Sequence, residues 1–211
     1  MSALLLTAAE ARVIAALVEK SIATPQYYPM SVNALMLAAN QKTCRAPVMN
    51  LSEGDVGAAL NHLEELKLVS RDPLSARVTK WRHSFQHQLL LKPETLALLV
   101  TLMLRGPQTL LELKANASGI GGPAEAEAAT TALQDLSDRA HPLVVLLPRA
   151  PGRKEARYAH TLCGEVALED PGASVAEAPP ASVAATGLAA LEQRVEALEL
   201  RLAELERRLP G

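Results

Sequence analysis

The residue types that carry out catalysis are present in this sequence, but their spacing matches no common catalytic motif. There is no GxGxxG, no phosphate-binding loop that ends in Lys-Ser or Lys-Thr, and no HExxH zinc motif. The glycine-rich run 119–122 lacks the preceding strand that a phosphate loop needs, so we expect an ordinary loop before a helix. The sequence therefore predicts a non-enzymatic protein without a cofactor.

A histidine pair and a cysteine are the remaining candidates for chemistry. His83 and His87 have no cysteine near them, and His83 falls in a predicted strand, so we expect no metal site. A reactive thiol needs nearby positive charge, which Lys42 and Arg45 supply to Cys44, but an incidental loop cysteine is the simpler expectation. Two cysteines cannot form a disulfide framework or a four-thiolate zinc site.

Positively charged side chains indicate a different chemistry, the binding of phosphates. They occur in two predicted hairpins and in the turn before a predicted third helix. An exposed asparagine on that helix could also pair with adenine. The candidate nucleic-acid-binding residues are Lys42, Arg45, Asn61, Arg71, Arg77, Lys80, Arg82, Arg149, Arg153, Lys154 and Arg157. This pattern predicts weak binding of duplex DNA, led by the hairpins.

The helices that would enter a DNA groove carry little positive charge. The exposed face of the third helix offers Glu53, Gly54, Gly57, Ala58, Asn61 and Glu65, and its counterpart offers Glu127, Ala128, Thr131, Asp135 and Asp138. Duplex affinity depends largely on phosphate neutralisation, which these faces do not supply. Two alternatives stay open: solvated hairpin charges that prevent edge-strand aggregation, and an adaptor that binds a protein partner and no nucleic acid.

Residues 1–86 predict three helices followed by a hairpin. Thr7 with Glu10 forms a capping-box pattern, and Ser31 and Ser52 can cap two further helices. Apolar residues repeat at helical spacing after each cap. Two short strands, 68–71 and 78–85, follow the third helix on either side of a turn-prone Asp-Pro pair.

Residues 87–162 repeat this order. Helices are expected at 93–105, after the capping box of Thr109 and Glu112, and at 123–138, with strands at 143–147 and 157–162. Trp81-x-His83-x-Phe85 in the first hairpin matches Tyr158-x-His160-x-Leu162 in the second, and alternation places each trio on the core face. The fold class is therefore mainly α with small β-hairpins (α+β), as two tandem winged-helix domains, 1–86 and 87–162.

The C-terminal part of the chain has a different composition. Residues 163–187 are rich in Ala, Pro, Gly and Ser and are expected to form a linker. Residues 188–209 follow a seven-residue repeat with ordered Arg and Glu at the flanking positions, which predicts a coiled coil and a homodimer. The candidate dimerisation residues are Leu188, Leu191, Val195, Leu198, Leu202, Leu205 and Leu209. An amphipathic helix that folds back on its own domains is the alternative.

Composition limits the function classes. The 211 residues are 49% hydrophobic and 21% charged, which is typical of a globular protein, and 2% aromatic content argues against stacking platforms for single strands. A net charge of −2 gives no general attraction to DNA or anionic membranes. The longest apolar run, 96–104, is too short to span a bilayer. We expect a cytoplasmic protein with no membrane contact.

Two long motifs resemble those of a known family. The segment Thr24-Pro-Gln-Tyr-Tyr-Pro-Met-Ser-Val-Asn-Ala-Leu, continued by Asn40-Gln-Lys-Thr-Cys-Arg-Ala-Pro-Val, resembles the signature of the YceH-like family of uncharacterised bacterial proteins. Leu104-Arg-Gly-Pro-Gln-Thr resembles the second motif of that family. The resemblance covers about residues 5–162 and implies a tandem winged-helix fold. It implies no activity, and a DNA-binding role would follow from fold analogy alone.

The resemblance marks Asn33, Asn40, Gln41, Lys42 and Arg45 as motif members without assigning roles to them. We expect the two asparagines to hydrogen-bond the backbone and fix the connection between helices. The alternative is a polar binding surface centred on Lys42 and Arg45.

Overall fold

The computed structural model describes residues 4–75, 77–149 and 155–164. All of them belong to one compact unit that spans Met1–Leu168. The predicted coiled coil at 188–209, and the predicted linker from residue 165 onward, lie outside the described residues.

The first half of the unit contains the three expected helices in order, a three-stranded sheet and a fourth, short helix. Its elements are α1 (Ala8–Ala23), β1 (Met30–Ser31), α2 (Val32–Ala39), α3 (Glu53–Glu65), β2 (Val69–Arg71), β3 (Lys80–His83) and α4 (Phe85–Gln88). α1 and α3 each begin with a complete capping box. The hydroxyls of Thr7 and Ser52 accept a hydrogen bond from the backbone N–H of the third helical residue, which is Glu10 or Asp55. The carboxylate of that residue accepts a hydrogen bond from the backbone N–H of Thr7 or Ser52 in return. Capping patterns in the sequence therefore located these helix starts.

The first sheet is antiparallel with the strand order β1-β3-β2. β3 is central: Trp81 lies opposite Met30 on one side and Arg71 on the other. The predicted strand 78–85 is longer than β3, because the chain turns at Ser84 and Phe85 enters the core from α4. The two-residue strand β1 was not predicted, since a pair of residues carries no alternation.

The second half repeats the pattern with a smaller sheet. Its elements are α5 (Pro93–Arg105), α6 (Leu110–Ala117), α7 (Ala126–Ser137), β4 (Val144–Leu147) and β5 (Arg157–His160). β4 and β5 pair antiparallel, and an isolated bridge between Gln108 and Tyr158 occupies the place of a third strand. The glycine-rich run 119–122 contributes to a short 3-10 helix and a turn before α7, as expected for a loop.

The two halves share one hydrophobic core built around their first helices. α1 and α5 pack against each other, and the side chains of Ile14, Leu17, Leu98 and Leu102 are fully buried. Each helix also contacts the other helices of its own half, so it is covered on several sides. This explains why the run 96–104 is apolar all round rather than on one stripe. No helix among the described residues is long and apolar enough to cross a membrane.

Candidate functional site

The loop between α2 and α3 contains the second part of the first family motif, residues 40–48, and Asn40 fixes the width of this loop. The Asn40 side chain donates to the backbone oxygen of Leu51 and accepts from the Leu51 N–H, both at 2.8 Å. These paired bonds close the loop across eleven residues. The expected backbone-bonding role is therefore confirmed for Asn40.

Arg45 lies inside this loop and is not available to nucleic acid. Its guanidinium donates two hydrogen bonds to the Glu19 carboxylate, at 2.7 and 3.1 Å, and its side chain is 0% exposed. Burial pushes the pKa of Glu19 upward, but the bonds and charge of Arg45 outweigh burial and hold that pKa below its usual range. The prediction of Arg45 as a phosphate-binding residue was wrong, because a buried bidentate ion pair uses its charge internally.

Two buried arginines also stabilise the end of α2. Arg45 donates to the backbone oxygen of Ala38, and Arg12 of α1 donates to the backbone oxygens of Ala39 and Pro47. The last carbonyls of a helix lack partners within the helix and carry partial negative charge, so guanidinium donors suit them. The motif therefore holds α2 and its loop against α1.

The exposed tip of the loop contains Lys42 and Cys44. Cys44 has a positive φ of 60° and an exposed side chain. Of the two residues at the centre of the proposed polar surface, Lys42 is exposed and Arg45 is buried. No group of three or more metal-ligating side chains occurs in the described part of the chain.

The first hairpin holds two of its arginines in ion pairs with the same half of the protein. Arg71 lies 3.2 Å from Glu64 and 3.4 Å from the amide oxygen of Asn61, and its guanidinium stacks over the Trp81 ring at 5.2 Å. Asn61 is thus engaged by Arg71. Residues 71 and 61 were predicted to contact DNA, but here they contact each other.

Arg82 is held in a similar way on the central strand. Its Nε donates to Asp72 at 2.6 Å, and its guanidinium lies 5.8 Å from the centre of the Tyr28 ring. The hydrogen bond from Arg82 is the main cause that lowers the pKa of Asp72. Both partners therefore stay charged over the physiological pH range, and the pair leaves little net charge at this place.

In the second hairpin, Arg157 is also engaged. It donates to the backbone oxygen of Pro107 at 3.0 Å and lies 3.5 Å from a Glu112 carboxylate oxygen. Arg149 is exposed at the end of the hairpin strand. The candidates Arg153 and Lys154 lie outside the described residues.

Four candidate cations stay exposed and form no ion pair with any described residue. They are Lys42, Arg77, Lys80 and Arg149. An arginine in an exposed ion pair can still bind a phosphate, because such pairs are weak. It must first leave its carboxylate partner. The structure therefore gathers fewer available cations on the hairpins than the sequence suggested.

The exposed face of α3 is small and acidic, as predicted. Glu53, Gly54, Ala58, Asn61 and Glu65 are exposed on this helix. A Cβ built at Gly57 meets nothing within 4 Å, so the helix backbone is open to a neighbour there. We call the face formed by residues 53, 54, 57, 58, 61 and 65 the α3 face. On α7, Glu127, Thr131, Asp135 and Asp138 are likewise exposed.

Two histidines occupy matching positions at the ends of the two hairpins. His83 Nε2 lies 3.0 Å from the Ser21 hydroxyl, and the backbone N–H of His83 donates to the Tyr28 hydroxyl. Burial is the main cause that lowers the pKa of His83 to about 4, with a smaller effect from His87, and burial lowers the pKa of His160 to about 4. Both side chains are neutral at pH 7, and His83 also links its strand to α1 through Ser21.

Sequence reasoning missed the carboxylates that neutralise the candidate cations. Glu19 is 26 residues from Arg45 and Glu112 is 45 residues from Arg157, so no local spacing connects them. The pair Asp72 and Arg82 could have been found, because both belong to one hairpin across a short turn.

The fold defines a class of small two-part helical proteins with hairpins, and comparison with known proteins identifies the family of this chain. Residues 6–153 match the family described as "Protein of unknown function, DUF480". The chain therefore belongs to this family of uncharacterised bacterial proteins, which confirms the predicted YceH-like relationship.

Relatives from three bacteria cover most of the chain. A UPF0502 protein of Burkholderia cenocepacia strain J2315 is 47% identical over 165 residues, which are 78% of this chain and 70% of that protein. A UPF0502 protein of Geobacter sulfurreducens is 43% identical over 202 residues, 96% of this chain and 90% of the relative. A UPF0502 protein of Delftia acidovorans is 44% identical over 208 residues, 97% and 89% of the two chains. None of these names states an activity.

Proposed function

We propose that this chain is a tandem winged-helix protein that acts by binding a protein partner, and that the α3 face is its contact surface. The order helix, short strand, helix, helix and two strands, with the sheet order β1-β3-β2, supports the winged-helix assignment in the first half. In the second half, the bridge at Gln108 takes the position of the short strand. The helix that normally enters a DNA groove in such domains is α3 or α7.

The charge and size of the α3 face carry the proposal. A duplex placed against it would meet the carboxylates of Glu53 and Glu65, whereas affinity for DNA depends on neutralised phosphates. The nearest candidate cation, Arg71, is shared between Glu64 and the Trp81 ring. A protein is therefore a better match for this face than a polyanion.

The partner chemistry follows from the same residues. Gly54, Gly57 and Ala58 allow the backbone of a partner helix or strand to approach closely, as small residues do in packed helix pairs. The acidic border favours a partner with Lys or Arg at the edge of the contact. We therefore expect binding that weakens with salt but survives nuclease treatment.

Gly57→Arg tests this surface, because the open space around Gly57 lets the new side chain point into solvent without disturbing the fold. Gly119→Arg is the matched control, since Gly119 is also open and lies away from α3. Tagged full-length protein is used to recover a partner from nuclease-treated extract. The proposal requires that the partner is lost with Gly57→Arg and kept with Gly119→Arg; equal recovery with both variants contradicts it.

A second candidate function is duplex DNA binding through the hairpins, and the four exposed cations Lys42, Arg77, Lys80 and Arg149 favour it. Replacing Arg77 and Lys80 with Ala should then weaken binding of a fluorescent duplex for all sequences alike. Gly57→Arg separates the two functions, because an added cation strengthens duplex binding and disrupts a close-packed protein contact. Absence of any shift with intact protein at low salt excludes the DNA function.

Homodimer formation through residues 188–209 is part of the proposal and depends on the heptad pattern of the sequence. Removal of residues 186–211 should convert a dimer to a monomer in light scattering. An unchanged mass would exclude this interface. The proposal describes a binding protein and not an enzyme, so a reproducible turnover by purified protein would contradict it.

A further inference from the structure

We infer that the turn between β2 and β3 is a separate binding surface that contacts an anionic lipid surface. Leu74 is 85% exposed and Val78 is 59% exposed, and both lie in this turn. Two large apolar side chains this exposed at one hairpin tip contribute nothing to the core of the unit. We call Leu74, Arg77, Val78 and Lys80 the hairpin tip.

The charge that the hairpin tip presents to solvent is positive. Arg77 and Lys80 are exposed and, among the described residues, form no ion pair. The one carboxylate of the turn, Asp72, is 7% exposed and accepts hydrogen bonds from Arg82 and Ser75. The charge of Lys80 also acts on Asp72, so Arg77 is the cation of the hairpin tip that no described carboxylate engages.

This combination fits a membrane of anionic lipids better than a DNA duplex. Leu and Val gain free energy when they leave water for hydrocarbon, whereas the phosphate-lined edge of a duplex offers them no apolar environment. Lys and Arg near the surface are attracted by anionic headgroups. Leu74 and Val78 would enter the boundary between headgroups and acyl chains, and Arg77 and Lys80 would remain among the phosphates.

This inference is independent of the α3 face, because the two surfaces share no residue. It departs from the expectation of no membrane contact, which was drawn from net charge and span length, because it describes peripheral and reversible contact at one charged tip. A single tip with two apolar side chains binds weakly, and two tips in a dimer would bind more tightly through avidity.

The experiment measures co-sedimentation of the full chain with vesicles at low salt. One set contains phosphatidylcholine only, and the other contains about a third phosphatidylglycerol. We expect binding to the anionic vesicles alone. Leu74→Ser should weaken it about tenfold, and Arg77→Ala about fivefold. Leu37→Ser is the matched control, because Leu37 is 63% exposed on α2, outside the hairpin.

Several outcomes overturn the inference. Intact protein that stays in the supernatant with anionic vesicles does so directly, and so does equal binding to both vesicle types. If Leu74→Ser keeps full binding, or if Leu37→Ser loses as much, then the contact lies elsewhere on the chain. If Arg77→Ala and Leu74→Ser weaken binding of a short duplex but not of vesicles, the hairpin tip binds nucleic acid instead.

Discussion

Acidification between pH 6.5 and 5 should destabilise this protein through two buried histidines. His83 and His160 have pKa values of about 4 in the folded chain because burial disfavours their charged forms. In the unfolded chain each titrates near 6.5. Below pH 6.5 the unfolded state therefore gains protons that the folded state does not, and the stability present above pH 6.5 is lost as the pH falls toward 4.

The magnitude follows from the difference between the folded and unfolded pKa values. At pH 5, each histidine should have lowered the free energy of unfolding by about 2 kcal/mol relative to pH 8, and both together by about 4 kcal/mol. The largely buried carboxylates of Glu10 and Glu19 do not disturb this window, because the fold holds the pKa of both below its usual range. Their unfolded values lie below pH 5, so both are ionised in both states.

Urea denaturation at a series of pH values measures this loss, and the fluorescence of the single tryptophan, Trp81, reports unfolding because this side chain is buried. His83→Gln and His160→Gln should each remove about half of the pH dependence, whatever they do to stability at pH 8. His87→Gln is the control, because His87 is exposed and is only the smaller cause of the low pKa of His83, so most of the dependence should remain. Equal stability at pH 8 and pH 5 for the unchanged protein would refute the reasoning.

Three substitutions test the loop between α2 and α3 and the turn before α7 by chemical denaturation. Glu19→Gln should cost about 3 kcal/mol, because it leaves the charge of Arg45 buried without its carboxylate. Asn40→Ala should cost about 2 kcal/mol, since two backbone groups lose their partner. Gly122→Ala should cost about 2 kcal/mol, because a Cβ there would lie 2.5 Å from a neighbouring side chain. Gly119→Ala should change stability by less than about 0.5 kcal/mol, because its surroundings are open.

Control substitutions show whether these losses of stability are specific to the groups that were changed. Asp135→Asn breaks an exposed ion pair with Arg139 and should cost less than about 1 kcal/mol. If Glu19→Gln costs no more than Asp135→Asn, the Arg45 pair does not hold the loop. A Gly122→Ala variant as stable as Gly119→Ala would show that the turn before α7 shifts to accommodate the added Cβ at little cost in stability.

The elements of the fold could be predicted because their signals are local. Two helix starts are indicated by pairs of residues only three apart, Thr7 with Glu10 and Thr109 with Glu112. The structure contains both capping boxes. Pro93 was expected at the start of a helix and lies there. Strand ends were less certain, because the turn at Ser84 that ends β3 carries no proline or glycine.

The surface could be predicted only in part, because charge pairing depends on tertiary contacts. The small, acidic character of the α3 face follows from helical spacing alone, and the structure places those residues at the surface. Arg45 is paired with Glu19 of α1, and Arg157 is paired with Glu112 of α6. Neither pairing follows from local spacing in the sequence. From the sequence these cations were expected to be available to phosphates, whereas in the folded chain they already form ion pairs.

Photo-crosslinking from the α3 face tests the central proposal most directly. A photoreactive residue is placed at position 57, with position 119 as the matched open control, and the products of irradiated cells are treated with nuclease. A discrete protein adduct that forms from position 57 and not from position 119 is the expected result. An adduct that nuclease removes, or identical products from both positions, would contradict protein binding by this helix.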